Sequence, residues 1–361
     1  MEEDTKELQK LRVQMTEVND VIMNDLNDFF KIAQMIGEVK DKLGLPHFDP
    51  VRESEMLKEI EGKNRGPMSP DMIRRIFKEI FRASVEEMGI EYRKRLQIQS
   101  SHPNEKTIIK VKKIEIGGGK PILIAGPCSV ENYEQVYITA KRLKELGINI
   151  LRGGAFKPRT SPYSFQGLEE EGLKILRAVA DDFNMVVITE ILDGRDIPLF
   201  LEYADIIQVG ARNMFNYFLL KDLGKINKPV MIKRGFMATI DELLCAAEYV
   251  YVGGNHEIIL CERGIRTFET QTRNTLDISC IPILKRETSL PIIVDISHSL
   301  GRKDIIKPIA HAALVAGADG LMFESHYNPP IALSDSAQQL DLKETEELIA
   351  YLKDRFTILL G

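Results

Sequence analysis

From residue 121 onward, the sequence contains a series of short apolar runs, and each run ends at or near a polar side chain that could bind a ligand or take part in catalysis. Six side chains at or just after these ends are arginine or lysine, although the whole chain carries a formal net charge of −6. Guanidinium groups hold phosphate and carboxylate through two parallel hydrogen bonds, so this set indicates a site for anionic small molecules. The six are Arg152, Lys157, Arg159, Arg212, Lys233 and Arg263.

A second set of side chains at or beyond the same ends could hold a metal ion. Cys128, His298, Glu324 and Asp335 supply a thiol, an imidazole and two carboxylates. Sulfur, nitrogen and oxygen ligands in one site suit a first-row divalent ion and leave room for water or substrate. One more carboxylate, Glu190, also ends an apolar run.

Each of these residues, taken alone, has an ordinary structural explanation. A free cysteine is often a small core residue, and a lone histidine can be a hydrogen-bonded core residue. A single arginine can be a surface charge in an ion pair that contributes little to stability. Glu190 could cap the following helix. Polar side chains at all eight run ends together favour a functional site. The structural explanation is kept for Cys245, Cys261, Cys280, His47, His102, His256 and His311.

The elements that would position these residues form a repeat in which a β-rich run is followed by a helical stretch. Eight such units in about 240 residues match a closed (β/α)₈ TIM barrel, whose active site lies at the C-terminal ends of its strands. A doubly wound open sheet is the alternative, but no GxGxxG motif follows the first strand. The predicted strands are 121–128, 149–154, 185–191, 205–210, 229–235, 257–264, 291–298 and 320–326. The helical stretches include 133–146, 169–183, 239–252, 302–316 and 343–356.

The first 95 residues have a different sequence pattern, which is typical of helices throughout. Apolar residues at helical spacing predict one helix over residues 1–36, about 50 Å long at roughly 1.5 Å per residue. Asp49–Pro50 and Ser69–Pro70 predict the starts of two more helices. Three helices make a thin core, so we expect long helices shared between subunits. The predicted domains are 1–95 and 107–361, with a linker at 96–106; residues 107–116 alternate like a strand.

Composition narrows the class of protein further. Of the 361 residues, 44% are hydrophobic and 28% are charged, which is typical of a globular protein. The acidic balance gives no reason to expect nucleic acid or an anionic membrane as a partner. No apolar run reaches the roughly 18 residues that span a bilayer. An acidic start without an apolar signal region, and four cysteines without a CxxC pair, predict a cytoplasmic, reduced protein.

Several motifs make the barrel region recognisable. They are GPCS at 126–129, LRGGAFKPRTSP at 151–162, GARNM at 210–214, KRG at 233–235, CERG at 261–264, VDISHS at 294–299 and ALSDS at 332–336. Together they closely resemble 3-deoxy-D-arabino-heptulosonate 7-phosphate (DAHP) synthase of the short, barrel-only type. The sister enzyme, 3-deoxy-D-manno-octulosonate 8-phosphate synthase, is similar elsewhere but differs at the KPRTS stretch.

The resemblance implies condensation of phosphoenolpyruvate with erythrose 4-phosphate, the first step of the shikimate pathway to aromatic amino acids. It implies that the thiol, imidazole and two carboxylates bind manganese, with zinc, iron and cobalt as alternatives. Glu190 would position an attacking water. Phosphoenolpyruvate would contact Arg212, Arg263 and Lys233 through its phosphate and Arg152 and Lys157 through its carboxylate; erythrose 4-phosphate would contact Lys157, Pro158, Arg159 and Thr160.

The first 95 residues resemble the helical chorismate mutase found fused to this synthase type. The matching segments are LR at 11–12, IGEVK at 36–40, FDPVRE at 48–53 and IFKEIF at 76–81. Two positions depart from that family: Phe29 stands where it has arginine, and Met88 where it has glutamine. A thioether cannot donate a hydrogen bond to the ether oxygen of chorismate. The implied pocket residues are Arg12, Lys40, Asp49, Arg52, Glu53 and Ser84.

We therefore expect a DAHP synthase whose mutase-like domain is weak or inactive and serves regulation or assembly. Chorismate or prephenate would be the feedback ligand, and a homodimer or homotetramer the assembly. Three alternatives stay open. They are a fully bifunctional synthase and mutase, a related synthase that condenses phosphoenolpyruvate with another aldose phosphate, and a non-catalytic sensor of pathway metabolites.

Overall fold

The computed structural model describes residues 2–43, 45, 49–93, 96–99, 105–159 and 161–358. It divides into two compact units, Met1–Arg95 and Leu96–Gly361. Among the helices of these described ranges, none is long and apolar enough to cross a membrane.

The N-terminal unit consists of the three predicted helices, α1 (Glu2–Leu43), α2 (Pro50–Lys63) and α3 (Pro70–Arg93). Asp49 caps α2, because its side chain accepts hydrogen bonds from the backbone nitrogens of Val51 and Arg52. Helix α1 continues past the predicted end at residue 36. Gly37 costs a helix only about 1 kcal/mol, which is too little to end one of this length.

The core of this unit is small. Its buried side chains include Leu57, Ile73 and Phe81, whereas much of the apolar stripe of α1 stays exposed. Between 48% and 62% of the residue surface is accessible along the first half of that stripe, at Leu8, Leu11, Met15, Val18 and Ile22. Helices α2 and α3 therefore cover only part of α1 within this unit.

The second unit opens with a hairpin, β1 (Ile109–Val111) and β2 (Ile114–Ile116), and continues as the predicted closed barrel of eight parallel strands. The barrel strands are β3 (Ile122–Gly126), β4 (Ile150–Arg152), β5 (Val186–Ile191), β6 (Ile206–Val209), β7 (Val230–Lys233), β8 (Ile258–Glu262), β9 (Ile292–Asp295) and β10 (Gly320–Glu324). The helices are α4 (Tyr133–Glu145), α5 (Glu169–Asp182), α6 (Ile197–Tyr203), α7 (Tyr217–Leu223), α8 (Ile240–Tyr251), α9 (Cys280–Glu287), α10 (Ile296–Leu300), α11 (Ile306–Val315) and α12 (Leu342–Lys353).

Closure of the barrel brings all eight strand ends into one ring. Strand β10 pairs with β3 in parallel register, with Glu324 opposite Gly126. The strands are buried on both faces, as parallel strands covered by helices must be. Side chains that alternate along each strand therefore supply either the barrel interior or the layer under the helices.

Three details of the predicted elements were wrong. Residues 107–116 form a hairpin rather than one strand, because Lys112 turns the chain with a left-handed φ of 52°. The strand predicted over 291–298 stops at Asp295, whose side chain accepts from the backbone nitrogen of His298 and starts α10. Helix α11 begins at Ile306 and not at 302. At the start of the expected linker, Leu96 and Ile98 are buried in the core of the barrel unit.

Candidate active site

A polar cleft lies at the C-terminal ends of the barrel strands. Phe236 and Arg273 line it and were not expected from the sequence. Nine further lining residues were expected as site residues, namely Lys157, Pro158, Arg159, Glu190, Arg212, Lys233, Arg263, His298 and Asp335. Thr160 lies outside the described residues.

Three of the four expected metal ligands form a tight group beside this cleft. One ligand atom each from Cys128, Glu324 and Asp335 lies within 4.8 Å of the others. His298 stands next to them, with Nε2 3.4 Å from Oε1 of Glu324 and 3.8 Å from Oδ2 of Asp335. Asp335 has a left-handed φ of 50°, a conformation that aspartate adopts more readily than most other side chains. This donor set fits a first-row divalent ion.

The surroundings of this group favour the ionised form of the Asp335 carboxylate but disfavour ionisation of the Cys128 thiol. Burial raises the pKa of Cys128 to about 11, and the charge of Glu324 adds to the effect. Burial also opposes ionisation of Asp335, but the neighbouring cationic groups, first of all Arg273, outweigh it and lower that pKa to about 2. The carboxylate is thus ready to bind a cation, whereas the thiol must lose a proton when an ion binds.

Two polar residues outside the expected set orient the candidate ligands. Asp295 accepts a hydrogen bond from Nδ1 of His298 at 2.8 Å, so that Nε2 keeps its lone pair for the cleft. Gln338 donates from Nε2 to Glu324 at 2.6 Å and to Asp335 at 3.2 Å. Partners of this kind hold the ligand atoms in place and tune their basicity.

Two cations lie directly against the metal-ligand group. Arg152 donates from Nη1 to Oε1 of Glu324 at 3.0 Å, and Lys157 Nζ lies 3.2 Å from the Sγ of Cys128. The approach of Lys157 requires Gly154, because a Cβ there would come within 2.9 Å of Lys157 Nζ and of the Cys128 carbonyl oxygen. A negatively charged group bound by these cations would therefore lie next to the ion.

Arg212 and Arg263 face the same cleft without a neutralising carboxylate. No ion pair joins either guanidinium to an acidic side chain in the described part of the chain. Within the described ranges, the hydrogen bonds of Arg263 go to the backbone oxygens of Gly264 and His298, at 3.3 and 3.2 Å, and burial lowers the pKa of Arg263. Lys233 differs, because it is paired with the buried Asp295. Two uncompensated guanidiniums in one cleft are the chemistry of an anion site.

The loop after β4 supplies the outer wall of the cleft. Arg159 donates from Nε to the Phe165 oxygen at 3.0 Å and from Nη2 to Oγ of Ser334 at 2.5 Å. Oγ of Ser334 lies 3.0 Å from the Sγ of Cys128. The outer cation is thus held over the metal-ligand group by one bridging hydroxyl.

Glu190 lies at the end of β5, where the floor of the cleft is tight. Gln208 donates to its Oε2 at 3.3 Å. A Cβ on Gly210 would lie 1.9 Å from its Oε1, so residue 210 must be glycine for the carboxylate to keep this position.

The residues of the expected mutase pocket make local contacts. Asp49 caps α2, Arg52 pairs with Glu55 at 3.2 Å, and Ser84 donates to the Phe81 oxygen at 2.8 Å. The side chains of Arg12, Lys40 and Glu53 are exposed or half-buried.

The departure at position 29 has a clear structural setting. Phe29 stacks on Phe81, with ring centroids 6.1 Å apart and an interplanar angle of 20°. Met88 lies in α3, but its side chain lies outside the described part of the structure. Position 29 therefore carries a half-buried aromatic ring that packs on the buried Phe81.

The closed barrel, its ring of cations and its group of candidate metal ligands are typical of a (β/α)₈ enzyme that binds anionic substrates. Residues 98–360 match the DAHP synthetase I family, and residues 11–88 match chorismate mutase type II. The chain belongs to the DAHP synthetase I family and carries a chorismate mutase type II domain at its N-terminal end. The family and the fold expected from the motifs are thereby confirmed.

The relatives of this chain include two kinds of aldolase, which are named for a heptonate and an octonate. The phospho-2-dehydro-3-deoxyheptonate aldolase of Thermotoga maritima is 56% identical over 252 residues, or 70% of this chain and 74% of that protein. A crystal structure of that DAHP synthase superposes with a TM-score of 0.69 at 53% identity, covering 72% of this chain and 76% of the other. The 2-dehydro-3-deoxyphosphooctonate aldolase of Geobacter sulfurreducens is 32% identical over 267 residues, or 68% and 96% of the two chains.

Proposed function

We propose that this protein condenses phosphoenolpyruvate with erythrose 4-phosphate and water to form DAHP and inorganic phosphate. The observation that carries the proposal is the uncompensated pair Arg212 and Arg263, which faces one cleft with the metal-ligand group. The substrates together bear close to five negative charges and repel each other. Fixed cations would offset most of this repulsion and hold both substrates in reacting geometry.

The cations would divide between three anionic groups. Arg212, Arg263 and Lys233 would bind the phosphate of phosphoenolpyruvate. Arg152 and Lys157 would bind its carboxylate, which places it beside the metal-ligand group, because Arg152 contacts Glu324. The phosphate of the aldose would lie at the outer wall, on Lys157, Pro158, Arg159 and Thr160.

Cys128, His298, Glu324 and Asp335 would hold a divalent ion, manganese in our proposal, with zinc, iron(II) or cobalt as substitutes. Such an ion polarises an aldehyde oxygen and makes the adjacent carbon a better electrophile. The protein would fix the donors through Asp295 and Gln338, so that His298 presents Nε2 and the carboxylates keep their orientation.

The remaining steps would use this chain's own residues. Arg152 and Lys157 would hold phosphoenolpyruvate so that its C3 attacks the aldehyde carbon. Glu190 would position a water that adds to the resulting cationic C2. The alkoxide left at the former aldehyde takes up a proton, and the added water gives up its protons as C2 becomes a ketone. The bond from C2 to the phosphate oxygen breaks with its electron pair on the phosphate, which Arg212 and Arg263 would stabilise as it departs.

We infer that the mutase-like domain is catalytically weak or inactive and serves regulation or assembly, with chorismate or prephenate as the ligand. The packing of Phe29 on Phe81 supports this, because position 29 of α1 carries a half-buried aromatic ring instead of a cation. A fully bifunctional enzyme is the alternative. We also propose a homodimer or homotetramer, and a cytoplasmic location, because the chain has only four cysteines and no CxxC pair.

The experiment uses the purified full chain with manganese and both substrates. Each phosphate released should be matched by one seven-carbon product, identified by its mass. Phosphate release that does not depend on erythrose 4-phosphate would contradict the proposal. The same preparation is then given chorismate, and its disappearance is followed.

A further inference from the structure

One aromatic ring in the cleft is surrounded by guanidinium groups. The ring belongs to Phe236, in the loop after β7. The Cζ atoms of Arg212, Arg263 and Arg266 lie 5.3, 4.8 and 4.6 Å from its centroid. These distances lie within the roughly 6 Å over which a ring face attracts a cation.

The two arginines that face the cleft come from different strands. Arg212 follows β6 and Arg263 follows β8, whereas Phe236 follows β7, which lies between them in the barrel. Like charges on neighbouring loops repel each other. In the described residues neither guanidinium has a carboxylate partner, so the ring is the shared group that both contact.

The backbone on either side of Phe236 is pinned, so the ring has a defined position. Arg234 donates from Nε to the Ala238 oxygen and from Nη1 to Oε2 of the buried Glu262, both at 2.9 Å. Ala238 N donates to the Gly235 oxygen at 3.2 Å, and Arg266 N donates to the oxygen of Phe236 itself at 2.6 Å. The ring stands at the tip of a clamped turn.

We propose that Phe236 is a positioning residue that holds Arg212 and Arg263 in the geometry that binds the phosphate of phosphoenolpyruvate. The inference rests on the proposed function and deepens it. The negative face of the ring offsets part of the repulsion between the two cations without neutralising them. A carboxylate in that place would bind the guanidiniums more strongly, but it would compete with the phosphate.

The test compares Phe236→Leu, which removes the ring, with Phe236→Tyr, which keeps it. The full chain is assayed with saturating manganese, and phosphoenolpyruvate binding is also measured by calorimetry without the aldose. Phe236→Leu should raise the KM and the Kd for phosphoenolpyruvate about tenfold and leave the KM for erythrose 4-phosphate within about twofold. Phe236→Tyr should show the wild-type KM and Kd for phosphoenolpyruvate, because it keeps the ring.

Tyr351 provides the matched control. It lies in the outer helix α12, away from the cleft, and its ring is 4.0 Å from the Cζ of Arg355, which follows that helix. Tyr351→Leu therefore removes a similar contact and should change neither KM.

Three outcomes would overturn the inference: a Phe236→Leu variant that retains the wild-type KM and Kd, one that raises both KM values equally, or a Phe236→Tyr variant with the same defect. If Phe236→Leu does not fold by circular dichroism, Phe236→Met is read by the same criteria. A wild-type protein that binds no phosphoenolpyruvate overturns the proposed function and this inference together. Wild-type binding that Phe236→Leu leaves unchanged overturns the inference alone.

Discussion

Arg152 donates a hydrogen bond to Glu324 across 3.0 Å, and both side chains are buried. One residue ends β4 and the other ends β10, on either side of β3. The contact joins a cation that we assign to the substrate carboxylate with a carboxylate that we assign to the metal. Ion binding and substrate orientation are therefore expected to depend on each other.

The first prediction concerns removal of the metal. Chelator-treated protein should lose DAHP formation and regain it with manganese or another first-row divalent ion. Cys128→Ala should remain folded but inactive, because the site loses one of its four proposed ligands. Metal content, circular dichroism and product formation are measured on the same samples.

Cys261→Ala is the control for that variant. Cys261 is also fully buried, but it lies outside the group formed by Cys128, Glu324 and Asp335. It should keep both metal content and activity. Full activity after exhaustive metal removal would refute the proposed site.

The second prediction separates the two phosphate sites. Arg263→Ala should raise the KM for phosphoenolpyruvate by about tenfold or more, because a charge-assisted contact worth about 1.5–3 kcal/mol is lost. Arg159→Ala should act mainly on the KM for erythrose 4-phosphate. Steady-state kinetics in which each substrate is varied in turn checks both.

The control here is Arg302→Ala, which removes an exposed arginine paired with Asp304 at 2.6 Å. It should change neither KM. If Arg263→Ala and Arg159→Ala affected both substrates equally, the division of the cleft would be wrong.

The elements that position the site could be predicted from the sequence because their patterns are local. Each barrel strand is a short apolar run followed by a helical stretch, and Asp49 with Pro50 marks a helix start in adjacent residues. The boundaries that failed depend on side-chain contacts. The end of β9 is fixed by the Asp295 carboxylate, and the turn at Lys112 by a backbone conformation that lysine rarely adopts.

The supporting residues of the site could not be predicted in the same way. Phe236, Arg273 and Gln338 carry no recognisable signal alone, because their roles arise from contacts between loops far apart in sequence. Asp295 could have been found, since a carboxylate three residues before a candidate metal-binding histidine can orient it.

The third prediction concerns assembly. The exposed apolar stripe of α1 should pack against a copy in another subunit, because burying such side chains yields about 25 cal/mol per Å². Light scattering should show at least a dimer. Deleting residues 1–95 should reduce the assembly and leave the barrel folded, whereas an assembly of unchanged size would rule out this role for the helices.

The fourth prediction concerns the mutase domain. Wild-type protein should consume chorismate far more slowly than the roughly 10 s⁻¹ typical of enzymes. Each departure should cost about 2–4 kcal/mol of transition-state stabilisation, or roughly 30- to 1000-fold in rate. Phe29→Arg combined with Met88→Gln should therefore increase the rate greatly.

Phe29→Arg also breaks the stacking on Phe81, so the thermal stability of the double variant is measured alongside its rate. Phe29→Leu combined with Met88→Gln is the control that changes the core without adding a cation. A wild-type rate near 10 s⁻¹ or above would contradict the prediction.

The central claim is the identity of the aldose, because the relatives include both heptonate and octonate aldolases. The most direct measurement is kcat/KM for erythrose 4-phosphate and for five-carbon aldose phosphates, with phosphoenolpyruvate and manganese saturating. The account predicts that erythrose 4-phosphate is far the best acceptor and yields one DAHP per phosphate released. A five-carbon aldose phosphate that reacts as well or better, or no condensation with any acceptor, would contradict it.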